Sequence, residues 1–452
     1  MKPRLPFLLA AAAIVAGCAT VPASSTAVAP APAVIALPPP IVAEPGDVAP
    51  AQPVIPARAF DLRDFGAVAN VAIDNAAAFK RAVAAVDAAG GGTLTVPPGV
   101  FRTGPFALCS RINLHLESGA TILFSPNSAD YGGGGRARQL SVNSAHDVLI
   151  SGAGTIDGHG DGWWGAANAL RDPVTGKQFP GAHPPRPTLL GFSNCQRIRV
   201  EGISLVNSPS LNFGTNACDD VTINGITLIN PPNSPNTDGI DPGGGSRRIV
   251  IAHCHIDTGD DDICLKGGIQ DMLVTDCAIF HGHGVSIGSN VDQISNLTVR
   301  RCTFEGTATG IRIKCYAGRG GQAENLVYQD LAMKNVQVAL SINSNYQGTT
   351  IDTEGIGIDH VPANPANARS TKWRHILIRN IQATGCTLTA GLIVAVPEVP
   401  VEDVTLEHIS IDAPTGLRIG YTKGVTLHDV HVNVKSGEPI AIADTVEGLV
   451  QK

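Results

Sequence analysis

One phrase recurs along most of this chain: a hydrophobic-x-hydrophobic strand, two polar or small residues, then a second such strand. Copies begin at Ile198, Val221, Ile249, Met272, Leu297, Leu326, Ile376, Val404 and Val425. The intervals are near-constant except for one, between Leu326 and Ile376, which is about twice as long as the rest. The period is too short for propeller blades, which take ~40 or more residues, and leaves no room for a crossover helix in each repeat. The expected fold is all-β: a right-handed parallel β-helix, a solenoid in which each turn hydrogen-bonds to its neighbours. Period-2 alternation then stacks like residues in the interior. The long interval is expected to hide one more turn around Ala339-Leu340-Ser341-Ile342.

Cysteine positions fit this reading. Cys254, Cys277 and Cys302 each follow their strand by the same short offset and are expected to stack as an interior ladder. A disulfide or metal framework is the alternative, since ten cysteines are present and an exported setting permits disulfides. Charged residues are 16% of the chain, glycines number 50 and hydrophobic residues reach 43%. That suits many short strands around a long core and argues against coiled coils and helical bundles. The net charge of −7 comes with no basic run, which excludes a nucleic-acid scaffold. A solenoid needs its open end covered. Asp74 is expected to cap a short N-terminal helix carrying Phe79, Val83 and Val86, stopped by Gly90-Gly91-Gly92 and followed by a strand over residues 93–96.

The N-terminus reads as an export signal. Lys2 and Arg4 precede an apolar stretch over residues 5–17, too short to span a membrane. It ends in Val15-Ala16-Gly17-Cys18, which resembles the lipobox of a bacterial lipoprotein, with lipidation at Cys18; an ordinary signal peptide is the alternative. Ala19 favours the outer membrane, with the periplasm as the other setting. Residues 1–18 are thus the signal segment, 19–58 an Ala/Pro-rich flexible tether to a lipid anchor, and 59–452 one β-helix body.

Four polar motifs fall in register within the repeats: Asn236-Thr237-Asp238-Gly239, Gly259-Asp260-Asp261, Gly282-His283-Gly284 and Arg312-Ile313-Lys314. Aligning the strands that follow them puts Asp238, Asp261 and His283 in one column, ~4.8 Å apart from turn to turn. Asp260 sits beside Asp261. Arg312 and Lys314 alternate by two and so share a face one turn on. Polar ladders and turn carboxylates are usually structural. Three carboxylates within a few Å are different: their repulsion raises at least one pKa, which serves a hydrolytic site needing one protonated and one ionised carboxyl.

These motifs, with Asp64-Phe65-Gly66-Ala67-Val68, Pro97-Pro98-Gly99, Gly154-Thr155-Ile156-Asp157-Gly158 and Trp163-Trp164, resemble glycoside hydrolase family 28, the polygalacturonase family. The resemblance implies the same β-helix fold and inverting hydrolysis of α-1,4-galacturonosidic bonds in polygalacturonate, without a cofactor or metal. It implies Asp260 as general acid, Asp238 and Asp261 as the pair that deprotonates water, and His283 as the residue that tunes the acid. Arg312 and Lys314 would bind the substrate carboxylate, Tyr346 would stack on a sugar, and Asn236 would touch the substrate or orient Asp238. Asp260 is then expected to stay protonated through repulsion, to lie about 6.5–9.5 Å from its base, and to give a mildly acidic optimum. Three departures stand out: Asp262 where Cys or Asn is expected, a longer Gly243-Gly244-Gly245 loop, and Leu211 where an aromatic is common. Alternatives are action on xylogalacturonan or rhamnogalacturonan, a pectate lyase, or a non-catalytic surface protein. The histidine at 283 favours plain or decorated homogalacturonan. The partners expected are an acidic polysaccharide and the membrane lipid, for a chain acting as a monomer.

Overall fold

The ladders between strands are all parallel, each turn resting on the one before. The first runs from Ala59–Asp61 to Gly92–Val96, Ile112–Leu116, His146–Gly152, Gln196–Glu201 and Asp219–Asn224. It continues through Ser246–Ala252 and Ile263–Thr275 to Thr422–Val434. The protein is a right-handed parallel β-helix. This is a computed structural model, and it describes residues 38–132, 137–170, 184–346, 358, 360–361 and 369–452. Cys18, the signal segment and residues 19–37 of the expected tether lie outside the described residues. From residue 38 the chain forms one compact unit.

The interior follows from the alternation. Ile198, Val221, Ile249, Met272, Leu297, Leu326, Ile376 and Val404 stack as one buried file. All nine cysteines after Cys18 are free thiols, so the ladder reading holds over the disulfide one. The residues that follow Cys254, Cys277 and Cys302 pair as His255↔Ala278↔Thr303, which puts the three sulfurs on successive rungs. The N-terminal cap is the helix Ala76–Ala88, which buries Phe79, Val83 and Val86, with the Phe79 ring stacked 4.5 Å from Phe106. Its cap residue is Asn75 rather than Asp74. Asp74 still accepts the Ala76 N–H at 2.9 Å, while the Asn75 side chain ties Val68 and Arg102 instead.

Two expectations are corrected. The long interval in the repeat hides no extra turn, because Leu326 pairs directly with Ile376. Val338–Asn343 is the second strand of the same turn, between Thr309–Lys314 and Thr389–Val394. Register is set by which strands pair, so the surplus length falls between Asn343 and Lys372. The tether reading also fails for residues 38–58. They have almost no regular secondary structure but lie against the solenoid. Asp47 and Glu44 meet the buried Arg300 at 2.6 and 2.9 Å, and Ile41 and Val48 pack on Val250, Ala252 and Leu273. Composition alone marked this stretch as unable to form a core. It missed two acids that answer arginines far along the chain.

Candidate active site

The motifs converge on one corner of the helix. Ile240 pairs with Ile263, Ile263 with Val285 and Val285 with Ile311. Two positions before each of these come Asp238, Asp261, His283 and Thr309, a single column, as the alignment of the motifs requires. One position after them runs a second column in which Cys264, Ser286 and Arg312 are partners, with Asp241 at its head. Asp238, Asp261, Arg312 and Lys314 are all buried.

Asp261 is the hub. It accepts hydrogen bonds from Arg312 at 2.6 Å, Lys314 at 2.9 Å and Ser286 at 2.6 Å. Burial works against its charge, but Lys314 and Arg312 outweigh that and hold it well below the usual carboxylate range. Asp260 Oδ1 lies 3.1 Å from His283 Nδ1 and accepts the Asp261 N–H at 2.9 Å. Burial would raise its pKa, yet the His283 charge brings it down to about 2. Burial likewise opposes the charged form of His283, and the Asp260 carboxylate reverses this and raises the imidazole pKa. Asp238 goes the other way: burial dominates, and the charges of Asp260 and Asp261 add to it, so its pKa is raised despite Lys266.

The protonation expected from repulsion alone is therefore corrected. In this arrangement the charges beside Asp260 and Asp261 favour their ionised forms, and burial favours the proton on Asp238 despite Lys266. One oxygen each of Asp238 and Asp261 lie within 4.8 Å of one another, as in a pair sharing a water, and the same holds for Asp260 and Asp261.

Arg312 and Lys314 stand where the motif puts them, but both are committed to Asp261. Tyr346 is brought to them: its ring centre lies 5.3 Å from Lys314 Nζ and 5.7 Å from Arg312 Cζ, and it packs on Tyr316. Asn236 reaches Asp260 at 3.4 Å and is itself held by Arg186 at 2.8 Å. Asp262, the unexpected third aspartate, stays out of the reacting group. It is fully buried, accepts from Gly284 N–H and the Thr258 hydroxyl, and burial pushes its pKa well up. Gly282 makes room for it, since a Cβ there would collide with the carboxylate.

Sequence reasoning missed Lys266 and Asp241. Lys266 bonds Asp238 at 2.6 Å and also bonds Asp241. Register could have found both, since in the aligned strands Asp241 falls at the position of Arg312 and Lys266 at that of Lys314. Two donor groups here, Asp260–Asp261–His283 and Asp238–Asp261–Cys264, have metal-like spacing. Their carboxylates are already neutralised by Lys266, Arg312 and Lys314, which a cation would have to displace. Four carboxylates (Asp238, Asp241, Asp260, Asp261) thus face four basic groups (Lys266, His283, Arg312, Lys314), an arrangement suited to moving one proton.

The family model described as Glycosyl hydrolases family 28 matches residues 89–433. The polygalacturonase QRT2 of Arabidopsis thaliana is 29% identical over 369 residues, covering 78% of each chain. An exopolygalacturonase structure from Thermotoga maritima superposes with a TM-score of 0.66 at 25% identity, over 84% of this chain and 94% of that one. A polygalacturonase structure from Erwinia carotovora ssp. carotovora gives 0.62 at 21% identity over 87% and 98%, and speaks for the fold.

Proposed function

The chain belongs to glycosyl hydrolases family 28, and from that premise we propose that it cleaves α-1,4-galacturonosidic bonds of polygalacturonate or its oligomers, with inversion at the anomeric carbon. The observation that carries the reading is the corner itself: three carboxylates on two adjacent turns, Asp238 paired with Lys266, Asp261 with Lys314, and Asp260 with a histidine of raised pKa.

Asp260 and His283 act as one acid. His283 stores the proton 3.1 Å from Asp260 Oδ1. An arriving polyanion excludes water and adds negative charge, both of which raise the Asp260 pKa. Asp260 then protonates the glycosidic oxygen, while Asp238 and Asp261 orient and deprotonate the attacking water. Lys314 and Arg312 keep Asp261 ionised and present positive charge to the galacturonate carboxylate. Tyr346 offers a ring face to the sugar, and Asn236 holds Asp260 in line. We further propose that the mature protein acts as a monomer carrying lipid on Cys18, at the outer membrane or in the periplasm. Cys18→Ala should then move the protein from the membrane to the soluble fraction; a variant still sedimenting with membrane would end that proposal.

Asp260→Asn tests the acid. Turnover on polygalacturonate should fall by about 10² or more with KM little changed. Near-normal turnover would sink the assignment, and a product with retained anomeric configuration by NMR would sink the inverting scheme. The raised pKa of Asp238 favours a second reading, in which Asp238 is the proton donor. A galacturonide whose leaving group needs no proton separates the two, because only the variant lacking the true acid regains its rate on it.

A further inference from the structure

Far from the catalytic corner, the last long turns of the solenoid bring together two histidines and a glutamate. Glu407 on Val401–Ala413 pairs in register with His428 on Thr422–Val434. His428 Nδ1 lies 3.3 Å from Glu407 Oε1, and His408 Nε2 lies 3.8 Å from the same oxygen. One ligand atom from each of the three lies within 4.8 Å of the others. We propose that Glu407, His408 and His428 bind a divalent transition metal of the zinc class.

Histidine–carboxylate pairs recur on this solenoid without forming sites. His375 with Asp403 at 2.7 Å and His281 with Asp257 at 2.8 Å are simple bonds between rungs. At 407–428 the pair gains a third donor. Among the described residues only two other such groups occur, and both are built on Asp261.

The rung bond also does the orienting. His408 Nδ1 lies 2.8 Å from the Asp429 carboxylate, so it carries the proton and leaves the Nε2 lone pair directed to the cluster, the carboxylate–histidine relay that backs metal-bound imidazoles. Asp429 is steadied in turn by His431 at 2.9 Å. Zinc–nitrogen bonds of about 2.0–2.1 Å put tetrahedral donors roughly 3.3–3.4 Å apart, close to the 3.3 and 3.8 Å found here. Two imidazoles with one carboxylate select Zn²⁺, Ni²⁺ or Cu²⁺ over Ca²⁺ and Mg²⁺. All three side chains are a third to a half exposed, which leaves a coordination position for water. The ion would tie the strand Val401–Ala413 to Thr422–Val434. Beyond those, Val446–Glu447 and Val450–Gln451 offer only two residues each, so the site clamps the thin C-terminal end of the stack.

The test is to strip the full chain with chelator, titrate it with Zn²⁺ by calorimetry, and record Co²⁺ absorption. One equivalent should bind below about 100 μM, raise the melting temperature and give a tetrahedral cobalt spectrum. Glu407→Gln, His408→Ala and His428→Ala should each weaken binding at least about 10-fold, and Asp429→Asn about 10–100-fold. His375→Ala should leave binding unchanged, and hydrolysis of polygalacturonate should be the same in all these variants. Absence of binding up to millimolar Zn²⁺ would overturn the proposal. So would undiminished binding in Glu407→Gln and His408→Ala, or binding lost only in Asp261→Asn, which would move the ion to the catalytic corner.

Discussion

The catalytic corner and the outer corner beneath residues 38–58 are built by the same operation. Both stack charged residues on successive turns. On the outer corner the acids meet arginines: Asp147 with Arg197, Asp220 with Arg248, and Asp47 with Arg300, which Glu44 shares. The first two pairs are partly open to water, and the arginine bonds, opposed by burial, hold Asp147 and Asp220 low. On the catalytic corner the charges are buried together, and their pKa values separate: burial raises that of Asp238, while against burial His283 lowers that of Asp260 and Lys314 and Arg312 lower that of Asp261. The same ladder thus yields a brace where charges are matched in pairs near solvent. It yields a proton-transfer site where they are massed and desolvated.

Breaking the hub should show the largest effect. Asp261→Asn removes the negative charge shared by Arg312, Lys314 and Ser286 and one of the two oxygens they bond, and leaves two buried cations without their counter-charge. Turnover should fall by about 10³ or more, and urea unfolding should show a loss of roughly 3–5 kcal/mol. A variant with normal stability would mean the corner is no more strained than a surface brace.

The next effect is a pH profile. His283 has a pKa raised on folding, so its charge favours the folded state below the unfolded value of about 6.5. That contribution fades as pH rises through the higher folded value. Activity should follow: kcat/KM should hold in mildly acid solution and decline above as the stored proton is lost. His283→Ala should remove that decline together with most of the rate, about 10². A profile unchanged in shape would detach His283 from the acid.

Smaller effects belong to the outer corner. Asp47→Ala leaves the buried Arg300 with Glu44 alone and should cost about 1–3 kcal/mol in thermal unfolding with kcat intact. No change would return residues 38–58 to the status of a loose tether. Arg248→Ala, at a partly exposed pair, should shift stability by less than about 1 kcal/mol, and a larger loss would erase the contrast between the corners.

Much of this was legible in the chain. Strand alternation and a short, near-constant period specify a solenoid locally, turn by turn. The register of Ile240, Ile263 and Val285 then places Asp238, Asp261 and His283 together without knowledge of anything distant. The order of the four motifs carried the chemistry. What the sequence could not determine depends on charges arriving from far along the chain. Whether Asp260 or Asp238 holds the proton turns on His283 and Lys266 in space. Arg186 reaches Asn236 from two turns away in the chain, and the strap around Glu44 and Asp47 is pinned by Arg300 and Arg301. Hydrogen-bonded stacking is a periodic, short-range property that a sequence displays directly. Electrostatic potential in a buried corner sums over every neighbour, so only the tertiary structure decides it.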